Sequence, residues 1–266
     1  MDTPLEYILK RDRFIVIGGM VIISLLCWWY IIYLYRQMVQ MNMDSPFFAM
    51  PMTAHWAGSD FILMFLMWMI MMIAMMTPSV APLILIFARV NRQRRQQQNP
   101  YIKTAYLFTG YFLVWTGFSL VATLLQWALQ QVSLLSPEMI TTSKILSGII
   151  LIAAGVFQFT PLKNKCLSNC RSPLEFIYRN WKEGKKGAIR MGIQNGIYCV
   201  GCCWVLMILL FVTGIMNLLW VALIAVFVLI EKIAAKPKWV SYISGVVLII
   251  YGFTILIVLP AAFKFH

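Results

Sequence analysis

Charged residues are scarce in this chain of 266 residues, because Asp, Glu, Lys and Arg together make up only 12%. Soluble domains usually have about twice that share. Hydrophobic residues account for 61% and the mean hydropathy is +0.80, so we predict an all-helical integral membrane protein. Since the stretches between apolar segments are short, residues 1–266 are expected to form a single transmembrane helical bundle.

Groups for acid–base chemistry are nearly missing as well. The chain has 2 histidines and 9 acidic residues, and we expect Glu231, beside Lys232 at the end of an apolar segment, to be ordinarily solvated at the interface. Ion-coupled transport would normally need an ionisable group within the membrane. No zincin, phosphate-loop, dinucleotide-binding or serine-nucleophile motif occurs. We therefore expect no enzymatic activity.

Long apolar runs predict about seven transmembrane helices, since one crossing needs roughly 20 residues. The uncharged run from Met191 to Ile230 is about twice too long for one crossing and is expected to reverse at Gly214 to Asn217. The predicted spans are approximately 14–35, 61–87, 105–130, 144–162, 193–214, 217–231 and 239–260.

Basic residues predict the orientation, because loops rich in Lys and Arg stay in the cytoplasm. With a cytoplasmic N-terminus and the C-terminus outside, 19 of the 22 basic residues fall on the cytoplasmic side. We expect a multi-pass protein of the plasma (inner) membrane. The net charge of +13 then reflects orientation and contact with membrane lipids rather than nucleic acid.

Methionine is concentrated in one segment, with 12 of 18 residues between Met38 and Met76. Part of the cluster lies in a predicted outer loop with His55, and part forms a stripe on one face of the second span, with Asp60 one turn before it. These candidate ligands are Met41, Met43, Met50, Met52, His55, Asp60, Met64, Met67, Met71 and Met75. Thioethers are soft ligands for Cu(I), whereas the alternative is that methionine fills irregular gaps between helices.

Cysteine is found mainly toward the predicted cytoplasmic side, where thiols stay reduced. Cys199, Cys202 and Cys203 share one helical face, and Cys166 and Cys170 lie in the adjoining loop as a candidate exit. We expect the first three to face the bundle and to bind a soft ion such as Cu(I). The alternative is that they are small hydrophobic residues in a helix interface. Cys27 is isolated and is assigned to packing.

Three motifs together closely resemble a prokaryotic domain-of-unknown-function family described as predicted metal-binding integral membrane proteins. They are the methionine-rich segment from Trp68 to Ser79, the segment from Thr160 to Leu174 with Cys166 and Cys170, and the segment from Tyr198 to Trp204. The resemblance implies metal binding by the methionine pairs and these cysteines. Where the family commonly has a histidine, this chain has Asn195, so at the cysteine site we expect coordination by sulfur alone.

Two functions remain open from the sequence. The first is Cu(I) binding, trafficking or delivery to a partner. The second is a noncatalytic structural or accessory subunit of a larger membrane complex, such as a copper-containing monooxygenase, in which the methionine stripes pack against neighbours. The expected partners are other membrane subunits or further copies of the chain.

Overall fold

The computed structural model describes residues 4–39, 56–96, 102–135, 143–215, 217–234 and 237–262, and its regular structure is helical throughout these ranges. The all-helical prediction is confirmed. In chain order the helices are α1 (Pro4–Val39), α2 (Gly58–Gln96), α3 (Ala105–Gln131), α4 (Lys144–Gln158), α5 (Pro161–Arg171), α6 (Pro173–Asn180), α7 (Gly184–Ile208), α8 (Leu210–Thr213), α9 (Leu218–Ile233) and α10 (Pro237–Ala262).

Five helical stretches of the described chain are long and apolar enough to cross a membrane. They are Val16–Gln37, Gly58–Arg94, Ala105–Gln131, Gly184–Thr213 and Lys238–Ile257. Helices α4 and α5 meet at an angle of 63° and would make a sixth if they form one broken span. The structure therefore supports five or six such spans. Helix α9, the remaining candidate, has only 16 residues, so the count of seven stays a prediction.

The predicted reversal at Gly214 to Asn217 coincides with a glycine turn that follows the long stretch Gly184–Thr213. Helix α8 ends at Thr213, and Gly214 follows with a φ of 96°. This left-handed conformation is readily adopted by glycine because it has no Cβ. Helix α9 then begins at Leu218. The uncharged run from Met191 to Ile230 is therefore interrupted by a turn of the backbone and not by a charged loop.

The core lies around α2, α3 and α7, while α1 and α10 are peripheral. Trp68 of α2 is fully buried, its ring packs against Phe211 at a centroid distance of 5.4 Å, and its indole N–H donates to the Gln126 side chain at 2.7 Å. The apolar side chains of α1 and α10 are largely exposed, as suits helices that face lipid.

Glycine allows α3 and α7 to approach each other closely. A Cβ atom at Gly110 of α3 would lie 2.2 Å from the Ile189 carbonyl oxygen, and one at Gly192 of α7 would lie 2.2 Å from the Leu107 carbonyl oxygen. Neither distance is sterically allowed, so the two backbones touch where any larger residue would separate them. This contact brings Tyr111, next to Gly110, against the cysteine-bearing face of α7.

Candidate metal site

The three cysteines of α7 are buried inside the bundle, with exposures of 0% for Cys199, 2% for Cys202 and 1% for Cys203. The prediction that they face the bundle is confirmed. The thiols of Cys202 and Cys203 donate to the Cys199 carbonyl oxygen at 3.1 and 2.9 Å. Both of these side chains thus bend back along the helix, as hydroxyl groups also do at this spacing.

The Cys199 sulfur of α7 contacts polar side chains of two other helices, α3 and α9. Its Sγ lies 3.0 Å from the Tyr111 hydroxyl of α3 and 3.0 Å from the Lys232 Nζ of α9. The same ammonium group donates to the Ser79 hydroxyl of α2. A sulfur between an ammonium and a hydroxyl group is in an environment that stabilises negative charge, which purely apolar packing would not provide.

Helix α5 adds two more thiols to this site. The Cys170 side chain lies next to those of Cys199 and Cys202. Cys166 packs against α7 at Gly201, where a Cβ atom would lie only 2.8 Å from the Cys166 Sγ. Helix α5 can approach the cysteines of α7 this closely because position 201 has no side chain.

Helix α5 is held against the C-terminal part of α9 at both of its ends. Near its start, the Lys163 Nζ lies 2.6 Å from a Glu231 carboxylate oxygen, and both side chains are at least 98% buried. At its end, the Arg171 guanidinium donates to the carbonyl oxygens of Lys232, at 3.2 Å, and Ala234. These contacts fix the position of the α5 cysteines relative to Lys232.

The expectation that Glu231 is ordinarily solvated at the interface is wrong. Its carboxylate accepts hydrogen bonds from Lys163 and, at 2.9 Å, from the Ser241 hydroxyl of α10, while the side-chain amide oxygen of Gln158 also accepts from Lys163. Pairing and hydrogen bonds offset the large cost of removing both charges from water. The interior of this bundle therefore contains ionised groups that the apolar runs do not reveal.

The thiols lie close together, but their geometry is not that of a metal-coordination site. Within the described ranges, no three or more histidine, cysteine, aspartate or glutamate side chains already have a geometry that could hold a metal ion. In α7 the thiols of Cys202 and Cys203 donate to a backbone carbonyl oxygen, although both side chains also lie close to that of Cys199. Metal coordination by these cysteines stays a prediction and would require rotation of their side chains.

The methionine stripe of α2 lies in the core, with exposures of 0% for Met64, 4% for Met67, 2% for Met71 and 2% for Met75. The Met64 sulfur accepts a hydrogen bond from the Gln126 amide at 3.6 Å. Packing and metal binding both require such burial, so the role of the stripe as a ligand set stays a prediction.

The outer-loop candidates Met41, Met43, Met50, Met52 and His55 lie outside the described residues. Asp60, the remaining candidate, caps the start of α2. Its carboxylate accepts a hydrogen bond from the Ala57 N–H at 2.8 Å. This contact is one half of a capping box, in which a side chain of the first turn satisfies a free backbone donor.

Sequence reasoning missed Tyr111, Ser79 and Lys232, which line the cysteine cluster. In the sequence, Lys232 counts only among the basic residues that predict the orientation. One usable signal existed, since Glu231 and Lys232 are both charged at the end of an apolar helix and point about 100° apart around its axis. They therefore cannot both face the same surroundings.

The chain matches a family model described as "PpoB2: Copper chaperone" over residues 65–255. The matched region is most of the chain, and it contains Met67, Met71 and Met75 of the methionine stripe, all five cysteines of the cluster and the Lys163–Glu231 pair. The chain belongs to this family, in agreement with the predicted metal-binding membrane family. No curated protein and no solved structure matches the chain.

The buried ion pair can be tested by a double-mutant cycle. We expect Lys163→Met and Glu231→Gln each to lower the free energy of unfolding by about 3–5 kcal/mol, because each strands a buried polar or charged partner. The double variant should lose less than the sum of the two. Chemical unfolding in detergent micelles measures all three.

The exposed pair of Arg179 and Glu175 provides the matched control. Its N–O distance is 3.4 Å and its side chains are 74% and 60% exposed, so Glu175→Gln should change the stability by less than about 1 kcal/mol. Strictly additive losses at Lys163 and Glu231 would show that the two residues do not stabilise the fold as a pair.

Proposed function

We propose that this member of the copper chaperone family holds Cu(I) on the thiols of its cysteine cluster and delivers it to a recipient copper protein. The observation that carries the proposal is that the half-buried Cys170 of α5 lies beside the buried Cys199 and Cys202 of α7. Thiolates are soft ligands suited to Cu(I). Without histidine in the cluster, sulfur is the donor to which this ion would bind.

The unfinished geometry of the cluster supports a cargo site over a permanent cofactor site. Cu(I) would have to draw the thiols of Cys202 and Cys203 away from the Cys199 carbonyl oxygen. Part of the binding free energy is then used for this rearrangement, which lowers the net affinity. Ligands on two helices also let the ion exchange one thiolate at a time with a recipient, and Cys166 and Cys170 are our candidates for the exit.

Entry of Cu(I) along α2 is the second part of the proposal. Asp60 and Ser79 are separated by roughly 28 Å along the helix, close to the thickness of the hydrocarbon layer. Ser79 follows Met75 by one helical turn, and its hydroxyl contacts Lys232 at the cysteine cluster. We propose that Met41, Met43, Met50, Met52, His55 and Asp60 capture the ion weakly and that the stripe of Met64, Met67, Met71 and Met75 leads it inward.

We also propose seven crossings in the plasma membrane, with a cytoplasmic N-terminus and the C-terminus outside. The five long spans would be completed by the bent α4–α5 pair and by α9 with its flanking residues. The chain has no enzymatic role in this proposal, and its partners are membrane lipids and the recipient protein. The structural or accessory-subunit function would replace the proposal if copper binding fails.

Cysteine replacement tests the central claim. We expect Cys199→Ser, Cys202→Ser and Cys203→Ser combined to abolish stoichiometric Cu(I) binding, because a hydroxyl group is a poor ligand for a soft ion. Competition with a chromophoric Cu(I) chelator measures binding to the full-length protein in detergent. Cys27→Ser is the matched control, because this half-buried cysteine of α1 lies in the packing of the core and its change should leave binding intact.

Full copper binding by the triple variant would overturn the proposed function. Circular dichroism and size-exclusion chromatography establish that the variant is folded. If it is not, the single variants Cys199→Ser and Cys170→Ser are measured in the same way, and each should weaken binding.

Methionine replacement tests the outer capture site. Changing Met41, Met43, Met50 and Met52 to Leu keeps apolarity and approximate volume but removes the sulfur ligands. We expect loss of a weak, exchangeable equivalent of Cu(I) while the tightly bound equivalent remains. Met20→Leu with Met207→Leu is the control, and unchanged weak binding in the four-residue variant would contradict the capture site.

Tag accessibility tests the topology. A tag placed after His266 should react with an impermeant reagent from outside intact cells, whereas a tag before Met1 should react only after the membrane is opened. This result is expected because 19 of the 22 basic residues then lie in the cytoplasm. A C-terminal tag that is protected in intact cells would contradict the orientation.

A further inference from the structure

Lys232 is a cation inside the bundle whose neighbours are sulfur and hydroxyl groups. Its ammonium group contacts the Cys199 sulfur at 3.0 Å and the Ser79 hydroxyl. The other groups that interact with its charge are Tyr111, Cys170 and Cys202. The adjacent Glu231 carboxylate accepts hydrogen bonds from Lys163 and Ser241 instead. In the described part of the chain, no carboxylate forms an ion pair with Lys232.

The charge of a copper–thiolate complex explains why a cation belongs at this position. One Cu(I) ion held by two thiolates has a net charge of −1, and a buried charge without a partner is costly in a low-dielectric interior. An ammonium group within contact distance of one of the sulfurs brings the total to zero. Lysine cannot coordinate the metal while it is protonated, because it then has donors but no acceptor.

We propose that Lys232 is the built-in counter-cation of the copper–thiolate complex and determines how tightly the cluster holds Cu(I). This inference rests on the proposed function and adds a positioning residue to it. The ammonium stabilises the thiolates from the α9 side, the Tyr111 hydroxyl stabilises Cys199 from α3, and Ser79 fixes the lysine on the side of α2. Glu231 leaves this charge available because its own partner is Lys163.

A positive charge at this position has two opposing effects on the affinity for Cu(I), and the experiment shows which of them is larger. A fixed positive charge repels an incoming Cu(I) ion, so a lysine beside the site could weaken binding. Attraction should prevail because the complex as a whole is negative: each Cu(I) is accompanied by more than one thiolate. Removal of the charge should therefore weaken Cu(I) binding, whereas tighter binding would identify Lys232 as a competitor of the metal.

The experiment measures the Cu(I) affinity of full-length variants in detergent by chelator competition. Lys232→Met removes the charge and keeps the length of the side chain, and we expect it to weaken binding about tenfold or more. Lys232→Arg keeps the charge and should remain within about threefold of the original protein. Lys238→Met is the matched control, because Lys238 is exposed at the start of α10, and it should have no effect.

The outcomes separate this inference from the proposed function. If the triple cysteine variant loses copper but Lys232→Met binds it normally or more tightly, the counter-cation inference is wrong and the cysteine site stands. If Lys232→Met and Lys232→Arg weaken binding equally, shape and not charge is responsible, and the inference is again wrong. If Lys232→Met does not fold, Lys232→Gln is measured against the same expectation, because it also removes the charge.

Discussion

The arrangement of this bundle depends on the cost of burying charge, and the buried Lys163–Glu231 pair shows how that cost is met. Two ionised side chains lie at a distance of 2.6 Å with almost no exposure. Neither charge can leave the other without being stranded in a low-dielectric interior. Because Lys163 is in the first turn of α5 and Glu231 is in the last turn of α9, this requirement determines where α5 lies.

The position of α5 in turn brings the cysteines together. The α4–α5 bend of 63° follows directly after Gln158, whose side chain accepts from Lys163, so α5 turns away from the direction of α4 at the ion pair. Its next turns bring Cys166 against Gly201 and Cys170 beside Cys199. The absence of side chains at Gly110, Gly192 and Gly201 allows this approach, because the thiol cluster needs backbones at contact distance.

Helical periodicity and composition were sufficient to predict an all-helical protein, the reversal near Gly214 and the common buried face of Cys199, Cys202 and Cys203. These features depend on local sequence, since a run of apolar residues and a spacing of three or four positions are both readable along one helix. The sequence also identified Cys170 as a candidate ligand, because it is a cysteine. It could not show that Cys170 lies beside Cys199, because that contact joins two helices.

The partners of the thiols could not be predicted for the same reason. Tyr111 is 88 positions from Cys199 in the chain and Lys232 is 33 positions away, so only the packing of α3 and α9 against α7 reveals the contacts. The number of spans could not be read from the sequence either. Length alone does not distinguish a straight crossing from the bent α4–α5 pair, or from the 16 residues of α9.

The last turn of α9 joins the two charged regions of the molecule. Glu231 and Lys232 are neighbours in sequence, but their side chains diverge by about 100°, so one is directed to the ion pair and the other to the sulfurs. Arg171 also donates to the Lys232 carbonyl oxygen, which ties the end of α5 to the same turn. A displacement of this turn would move the ammonium group and the α5 thiols together. The charge balance at the cluster and the position of its ligands are therefore set by one structural element.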